Sequence, residues 1–283
     1  MKIAGAGTSG LIGSSLTARL VSRHTFVRLR RPVSPEWDAA IDGADAVINL
    51  AGENIAGRRW TPAQKMELIQ SRLKTTRAVV DAIERARVKP RILLNASATG
   101  FYGPRGDEPL GEESPKGAGF LADLCAEWER QARRAESMGV RTVLLRTGVV
   151  LAKEGGALAK MLPAFRLGLG GPLGSGRQYF SWIHLDDEVA AIEFALENDS
   201  VRGPVNLTAP NPVTNEEFTR ALARALGRPA AFRAPAKALQ ILLGEMSELL
   251  LTGQNVRPGA LQRQGFRFRY ETVQPALVDL ISR

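Results

Sequence analysis

Residues 2–13, Lys2-Ile3-Ala4-Gly5-Ala6-Gly7-Thr8-Ser9-Gly10-Leu11-Ile12-Gly13, decide how the rest of the chain is read. A short apolar segment runs straight into three glycines spaced three apart, and Leu11, Ile12, Leu16 and Leu20 follow at helical spacing. The order is strand, glycine turn, helix. Gly7 permits a tight turn, Gly10 lets the backbone approach a pyrophosphate, and Gly13 lets the helix pack close to the strand. The free N–H groups and the positive end of the helix would then meet the phosphates. An ordinary β-turn-α connection without a ligand gives the same pattern, so the motif needs support from elsewhere.

That support comes at the end of the next strand. Thr25–Leu29 alternates like a strand, and Arg30 and Arg31 stand where an NAD enzyme carries an Asp or Glu for the ribose 2′-hydroxyl. A carboxylate there repels a 2′-phosphate, whereas a guanidinium can bind it bidentately. The pair points to NADP(H) over NAD(H), the alternative being two solvated arginines ahead of Pro32.

The composition, 44% hydrophobic and 24% charged over 283 residues, is that of a globular α/β domain or of a larger domain with a smaller partner. No apolar run approaches the ~20 residues needed to span a bilayer, and the N-terminus enters a strand instead of a signal peptide. A cytoplasmic protein with no membrane partner is expected. Cys125 is the one cysteine, and His24 and His184 are far apart in sequence, so neither a disulfide nor a structural metal is expected. The charge of +9 raises the question of nucleic acid, but the arginines are spread along helices with acidic neighbours and no basic tail or nucleic-acid motif is present. A small-molecule substrate, anionic or nucleotide-linked, suits the same charge.

Further along, residues 46–52 read as a third buried strand that ends on the small residues Ala51 and Gly52, which leave room for a ligand at the strand's C-terminal end. Thr61-Pro62-Ala63-Gln64 opens a long helix, to about Arg87. Residues 91–97 form a fourth strand, followed by a glycine- and proline-rich loop, 98–115, too long to be a mere connector. A helix over 119–138 and a strand over 140–146 continue the alternation, which predicts a doubly wound parallel Rossmann sheet with right-handed crossovers. Beyond Leu151 the pattern changes. The expected division is an NADP-binding domain over 1–150, completed by about 186–208, with 151–283 supplying a smaller C-terminal substrate lobe. Within the latter, helices are expected over 158–167, 187–196, 214–226, 239–251 and 274–281, and a strand over 204–207. Asp186 and Asp187 are expected to cap the 187–196 helix.

With these residues in view, the chain resembles the extended short-chain dehydrogenase/reductases, and within them the atypical epimerase-family, NADP-dependent nucleoside-diphosphate-sugar epimerase-like proteins. The matching stretches are Asn49–Ile55, Arg58-Arg59-Trp60, Ser71-Arg72-Leu73, Ser181–Asp187, Leu243–Met246 and Gly265–Tyr270. Gly5-Ala6 departs from the family, which usually has a branched residue followed by Thr or Gly. The resemblance implies that Gly7, Thr8, Gly10, Leu11 and Ile12 cradle the pyrophosphate, that Arg30 and Arg31 take the 2′-phosphate, and that Leu50, Ala51 and Gly52 lie against the adenosine and its ribose. Thr147, Gly148 and Val149 match the turn over the nicotinamide side. Arg72 falls where typical members place an Asn; it could reach the pyrophosphate, order the third-strand loop with Glu67, or form a helix-surface ion pair. Helices 61–87 and 118–138 lie where relatives often form a homodimer.

Typical members also use a Ser or Thr after the fourth strand and a Tyr-x-x-x-Lys helix, in which the Lys lowers the Tyr pKa. Ser97 matches the first, with Thr99 beside it. The helix register offers only Phe120 and Leu124, or Leu121 and Cys125, at the Tyr and Lys positions. Tyr102 is the substitute acid/base candidate, or else a stacking residue in its loop. Arg177, Tyr179, Trp182 and His184 are candidates for the substrate side, His184 either as a titrating group or as a structural one. Two functions remain open: an NADP(H) oxidoreductase or epimerase-like enzyme acting by hydride transfer, and a non-catalytic NADP(H)-dependent sensor.

Overall fold

Short apolar segments alternating with amphipathic runs build alternating strands and helices. The computed structural model describes residues 1–282. β1 (Lys2–Ala6), β2 (Thr25–Leu29), β3 (Ala46–Asn49) and β4 (Ile92–Ala98) are separated by α1 (Leu11–Leu20), α2 (Glu36–Ile41) and α3 (Pro62–Arg85). β5 (Pro109–Leu110), α4 (Phe120–Arg133), β6 (Arg141–Thr147), β7 (Val149–Leu151), α5 (Gly156–Arg166), β8 (Tyr179–Phe180), β9 (Trp182–His184), α6 (Leu185–Glu197) and β10 (Gly203–Leu207) follow. The last stretch comprises β11 (Val213–Thr214), α7 (Asn215–Leu226), α8 (Ala236–Leu243), α9 (Glu248–Leu251), β12 (Asn255–Val256), α10 (Gly259–Arg263) and α11 (Val273–Ser282).

Six strands form one parallel sheet in the order β2-β1-β3-β4-β6-β10. The chain steps from β1 outward to β2 and then crosses back to β3, so the switch point where ligands bind in open α/β sheets lies between β1 and β3. The C-terminal ends are level: Ala6 pairs with Leu29 and Asn49, and Thr147 pairs with Ala98 and Leu207.

Because successive side chains point to opposite faces, the same strands bury both. Ile3, Ile48, Leu94 and Leu145 pack against Leu16 and Leu20 of α1 and Val189 and Ile192 of α6. Their neighbours Ala4, Val47, Leu93 and Leu144 pack against Val79, Val80 and Ile83 of α3 and Ala132 of α4. A separate core joins Leu158 and Phe165 from α5, Phe218 and Leu222 from α7, and Leu277 and Leu280 from α11.

Several helix boundaries follow their local signals. Thr61 accepts the Gln64 N–H at 3.1 Å and Pro62 occupies the first turn of α3. Thr214 and Glu217 form a reciprocal capping box on α7. Two expectations are corrected. The apolar helix over 239–251 is broken at Gly244, whose φ of +60° ends α8 before a 3₁₀ turn leads into α9. The cap of α6 is His184, whose Nδ1 accepts the Asp186 N–H at 3.0 Å, while the Asp187 carboxylate accepts the N–H groups of Arg269 and Tyr270, both at 2.9 Å. Asp187 therefore ties the C-terminal segment to α6. No described helix is long and apolar enough to cross a membrane.

Candidate functional site

The glycine turn divides into glycines that the protein needs for its own packing and one that it does not. Gly7 has φ +76°, and a Cβ there would stand 2.4 Å from the Leu50 carbonyl carbon; one on Gly13 would stand 2.3 Å from the Gly7 oxygen. A Cβ on Gly10 would meet only the Gly7 oxygen, at 3.5 Å, an ordinary contact. Gly10 is exposed and caps α1 with no side-chain hydrogen bond, and the first turn carries no acidic residue. The first N–H groups of α1 are left for an anion. Arg30 and Arg31 lie exposed past the end of β2, with no ion-pair partner among the described residues. On the other side of the turn, Leu50 to Gly52 continue from β3, with Gly52 exposed. This line of open backbone N–H groups, small residues and two unpaired guanidiniums fits a phosphorylated dinucleotide.

At the other end of the same sheet edge, Thr99 after β4 and Val149 after β6 meet Tyr179, Phe180 and the chain around residues 249–254 at a cleft of about 70 Å³. Tyr179 is the one ionisable side chain among the residues lining it. Much of the polar lining is occupied in holding the wall: Gln178 donates to the Leu173 and Leu250 carbonyls, Ser181 bridges the Gln254 carbonyl and the Val256 N–H, and Asn215 accepts from the Leu173 N–H. Thr99 and Tyr179 make no side-chain hydrogen bond among the described residues. Of the other substrate-side candidates, Arg177 is exposed outside the cleft lining. Trp182 and His184 are fully buried: the Trp182 indole donates to the Asn211 carbonyl, and His184 stacks on Tyr270 with ring centroids 4.1 Å apart. Folding also carries Asp279 to 3.3 Å from His184 Nε2, so that ligating atoms of His184, Asp186 and Asp279 lie within 4.8 Å of one another, a proximity invisible in sequence.

Ser97 and Tyr102, the two catalytic candidates, are drawn into a buried polar network. Ser97 Oγ donates to Glu129 Oε1 at 2.7 Å, and Arg146 binds both Glu129 oxygens at 2.8 and 2.9 Å. A further Arg146 nitrogen donates to the Tyr102 oxygen at 3.0 Å, and Tyr102 in turn donates to Asn206 Oδ1 at 2.7 Å. Arg146 also lies 3.5 Å from the Phe101 ring centroid. Burial raises the Tyr102 phenol above its ordinary value against the opposing pull of Arg146, which keeps it protonated. The strand alternation explains the placement: Ser97 shares the α3/α4 face with Leu93 and Asn95, below the edge, and Arg146 points to the same face. Sequence reasoning missed Glu129 and Arg146; the available signal was an arginine directly after the apolar run Val143-Leu144-Leu145, still within the strand.

Residues 6–207 match the NAD dependent epimerase/dehydratase family, and residues 234–280 match DUF1731, a domain of unknown function. The chain belongs to the NAD dependent epimerase/dehydratase family. It is an atypical short-chain dehydrogenase/reductase of the epimerase-family kind. Epimerase family protein Mb2239 of Mycobacterium bovis is 48% identical over 290 residues, covering 97% of this chain and 96% of that protein. The chloroplastic SDR39U1 homolog of Arabidopsis thaliana is 42% identical, covering 98% and 86%. The crystal structure of human epimerase family protein SDR39U1 (isoform 2) with NADPH superposes with a TM-score of 0.91 at 35% identity, covering 100% of this chain and 99% of that one. MoeE5 in complex with UDP-glucose and NAD, at 20% identity and a TM-score of 0.79, shares the fold.

Within the epimerase family this chain departs where the Tyr-x-x-x-Lys pair would stand. Leu121 and Cys125 are the pair that faces the site: a Cβ on Gly100, next to Thr99, would lie 3.2 Å from Leu121 Cβ and 3.7 Å from Cys125 Sγ. Phe120 and Leu124 pack in a cluster with Trp60, which Leu121 joins as well. Burial pushes the Cys125 thiol up to about 12, with the Glu129 charge adding to it, so Cys125 stays a neutral thiol. Arg72 does not pair with Glu67, which is exposed; it donates to the Leu68 and Glu53 carbonyls, both at 3.0 Å, and lies over Trp128.

One further carboxyl was hidden in the acidic run Asp186-Asp187-Glu188. Glu188 is fully buried, accepts from Thr147 Oγ1 at 2.9 Å, and leaves Oε2 without a hydrogen-bond partner among the described residues. Burial pushes its carboxyl up to about 8, with the Thr147 hydrogen bond opposing. It is predominantly neutral at pH 7, at the end of β6 where the family turn Thr147-Gly148-Val149 begins.

Proposed function

We propose that this protein binds NADP(H) along the sheet edge and acts in the cytoplasm as an oxidoreductase or epimerase-like enzyme on a carbonyl or alcohol substrate, anionic or nucleotide-linked. The observation that carries the reading is the layout of one edge: unpaired Arg30 and Arg31 past β2, the open N-terminus of α1 at the switch point, and the cleft beyond β4 and β6. The NADPH in the human SDR39U1 structure and the nucleotide sugar in MoeE5 are consistent with that layout.

When bound, the nicotinamide supplies hydride transfer at a carbon bearing oxygen. The chain's own residues hold and orient. Leu11 and Ile12 present N–H groups to the pyrophosphate over Gly10, whose own N–H closes the turn on the Gly7 carbonyl, Arg30 and Arg31 bind the 2′-phosphate, and Leu50 to Gly52 bound the adenosine side. In the cleft, the Thr99 hydroxyl orients the substrate oxygen, and the proton passes through Tyr179 or water. Ser97 and Tyr102 hold the wall beneath them through Glu129 and Arg146.

The competing reading is a non-catalytic NADP(H) sensor, favoured by the engagement of both Ser97 and Tyr102 in the buried network and by Leu121 and Cys125 at the usual Tyr and Lys positions. Calorimetric titration with NADPH and NADH, followed by a stopped-flow scan of the NADPH-loaded protein against carbonyl compounds and nucleotide sugars, separates the two. Oxidation of NADPH by a panel member establishes the enzyme; tight binding without turnover supports the sensor, and absence of nucleotide binding refutes both.

A further inference from the structure

The cleft beyond β4 and β6 shares part of its wall with a second cavity. Met161, Leu173 and Asn215 border both, and the second space, of about 180 Å³, lies between α5, α7 and the chain around Gly170 and Phe232. Phe165 and Phe218 are its buried walls, and Leu169 and Phe232 line its open side, 59% and 63% exposed. No lining side chain is ionisable among the described residues, and the polar ones are Asn215 and Thr219. Asn215 Oδ1 already accepts the Leu173 N–H at 2.8 Å.

The backbone fixes this shape. The Gly174 N–H donates to the Ala234 carbonyl and the Ala234 N–H to the Pro172 carbonyl, both at 2.9 Å, which fastens the two stretches at the open side to each other. A Cβ on Gly171 would stand 1.8 Å from the Phe232 carbonyl oxygen, and one on Gly170 2.5 Å from the Phe165 ring, so only glycine lets these walls close in. Large apolar side chains left in water at the mouth of an uncharged cavity gain by being covered. An apolar cavity of about 150 Å³ takes up a benzene ring, and this one is larger. The shared wall decides where its occupant comes from. Met161 is half-buried, unbranched and flexible, a side chain that yields between two adjoining spaces. A diphosphate or other ionic group, by contrast, finds no cation in either lining.

We propose that this cavity binds an apolar arm of the substrate, an aromatic or branched aliphatic group about the size of phenyl, joined to the carbonyl- or alcohol-bearing part that lies in the cleft. The assignment rests on the reading of the cleft as the substrate site, and it narrows the substrate class. Any anionic part of the substrate lies outside both linings, on the side of exposed Arg177.

Two ketones that differ by one phenyl group, 2-butanone and 4-phenyl-2-butanone, test this on the protein loaded with NADP⁺, where no reduction takes place. Binding is followed by NMR on protein carrying ¹³C-methyl methionine, with Met161 as the reporter. The phenyl group should strengthen binding about tenfold to a hundredfold, the scale of burying an aromatic side chain. The phenyl ketone should shift the Met161 methyl resonance. Its phenyl protons should show NOEs to the Phe232 ring, and its ketone methyl to the Tyr179 ring in the cleft. Phe232→Ala, at an exposed position, should lower the phenyl gain several-fold. Equal affinities for the two ketones, a gain that survives Phe232→Ala unchanged, or binding of neither overturns the proposal. A phenyl ketone seated wholly in the cavity, without contact to Tyr179, overturns it as well, since the site would then be separate from the substrate cleft. Failure of the enzyme reading looks different: no carbonyl compound or nucleotide sugar would oxidise NADPH, while these binding ratios, measured with the oxidised cofactor or on the protein alone, would stand.

Discussion

Replacing Glu188 with Gln converts a buried carboxyl into a neutral amide of the same shape, and its consequence can be worked out from the fold. The carboxyl is fully buried with one hydrogen bond from Thr147, and its pKa is pushed from 4.5 up to about 8. Between those two values the folded chain holds a proton that the unfolded chain releases. Stability contributed by this group is present below the unfolded value and is lost as the pH rises toward 8, at up to about 1.4 kcal/mol per pH unit. Over the interval from pH 6 to pH 8 the loss amounts to about 2 kcal/mol. A Gln side chain can accept the Thr147 hydroxyl and carries no charge at any pH, so Glu188→Gln removes that slope. The assay is equilibrium unfolding in guanidinium chloride at the two pH values, for wild type and variant. The difference in unfolding free energy between variant and wild type should grow by about 2 kcal/mol from the lower to the higher pH. Because the other titrating groups are common to both proteins, they cancel. Parallel pH profiles would refute the burial argument for Glu188.

Arg31→Glu should weaken NADPH by about tenfold to a hundredfold while changing NADH little, since the loss is that of charge-assisted hydrogen bonds to the 2′-phosphate plus new repulsion; equal losses by calorimetry would sink that assignment. Gly10→Ala should leave the unfolding midpoint nearly unchanged, because its Cβ meets only the Gly7 oxygen at 3.5 Å, yet weaken NADPH by about tenfold if the pyrophosphate comes close to this backbone. Unchanged NADPH affinity in that variant would count against a cofactor over the turn. Arg146→Met should cost about 3–5 kcal/mol in chemical unfolding, because Glu129 is left buried without its partner. Pairing that change with Glu129→Gln should recover part of the loss, and no recovery would mean that packing and not charge dominates there.

The alternation of apolar segments with amphipathic helices, the glycine turn and the paired arginines are local signals, and they carried the parallel sheet, its α1 junction and the course of its strands into the amino-acid sequence itself. Side-chain periodicity and backbone conformational preference act over a few residues, which is why Thr61, Thr214 and Gly7 could be read in place. Which hydroxyls face a cleft depends on contacts between residues far apart in the chain. Ser97 reads like a catalytic residue, but Glu129, 32 residues away, accepts its hydrogen bond, and Tyr102 is held by Asn206, 104 residues on. Thr99 reaches the cleft because the chain turns at the end of β4, and Glu188 differs from Asp186 only in the face of α6 that it occupies. The amino-acid sequence thus determined the scaffold, its glycine turn and the paired arginines past β2, whereas only the tertiary structure decided which polar groups are enclosed, because burial and pairing arise from the packing of distant elements.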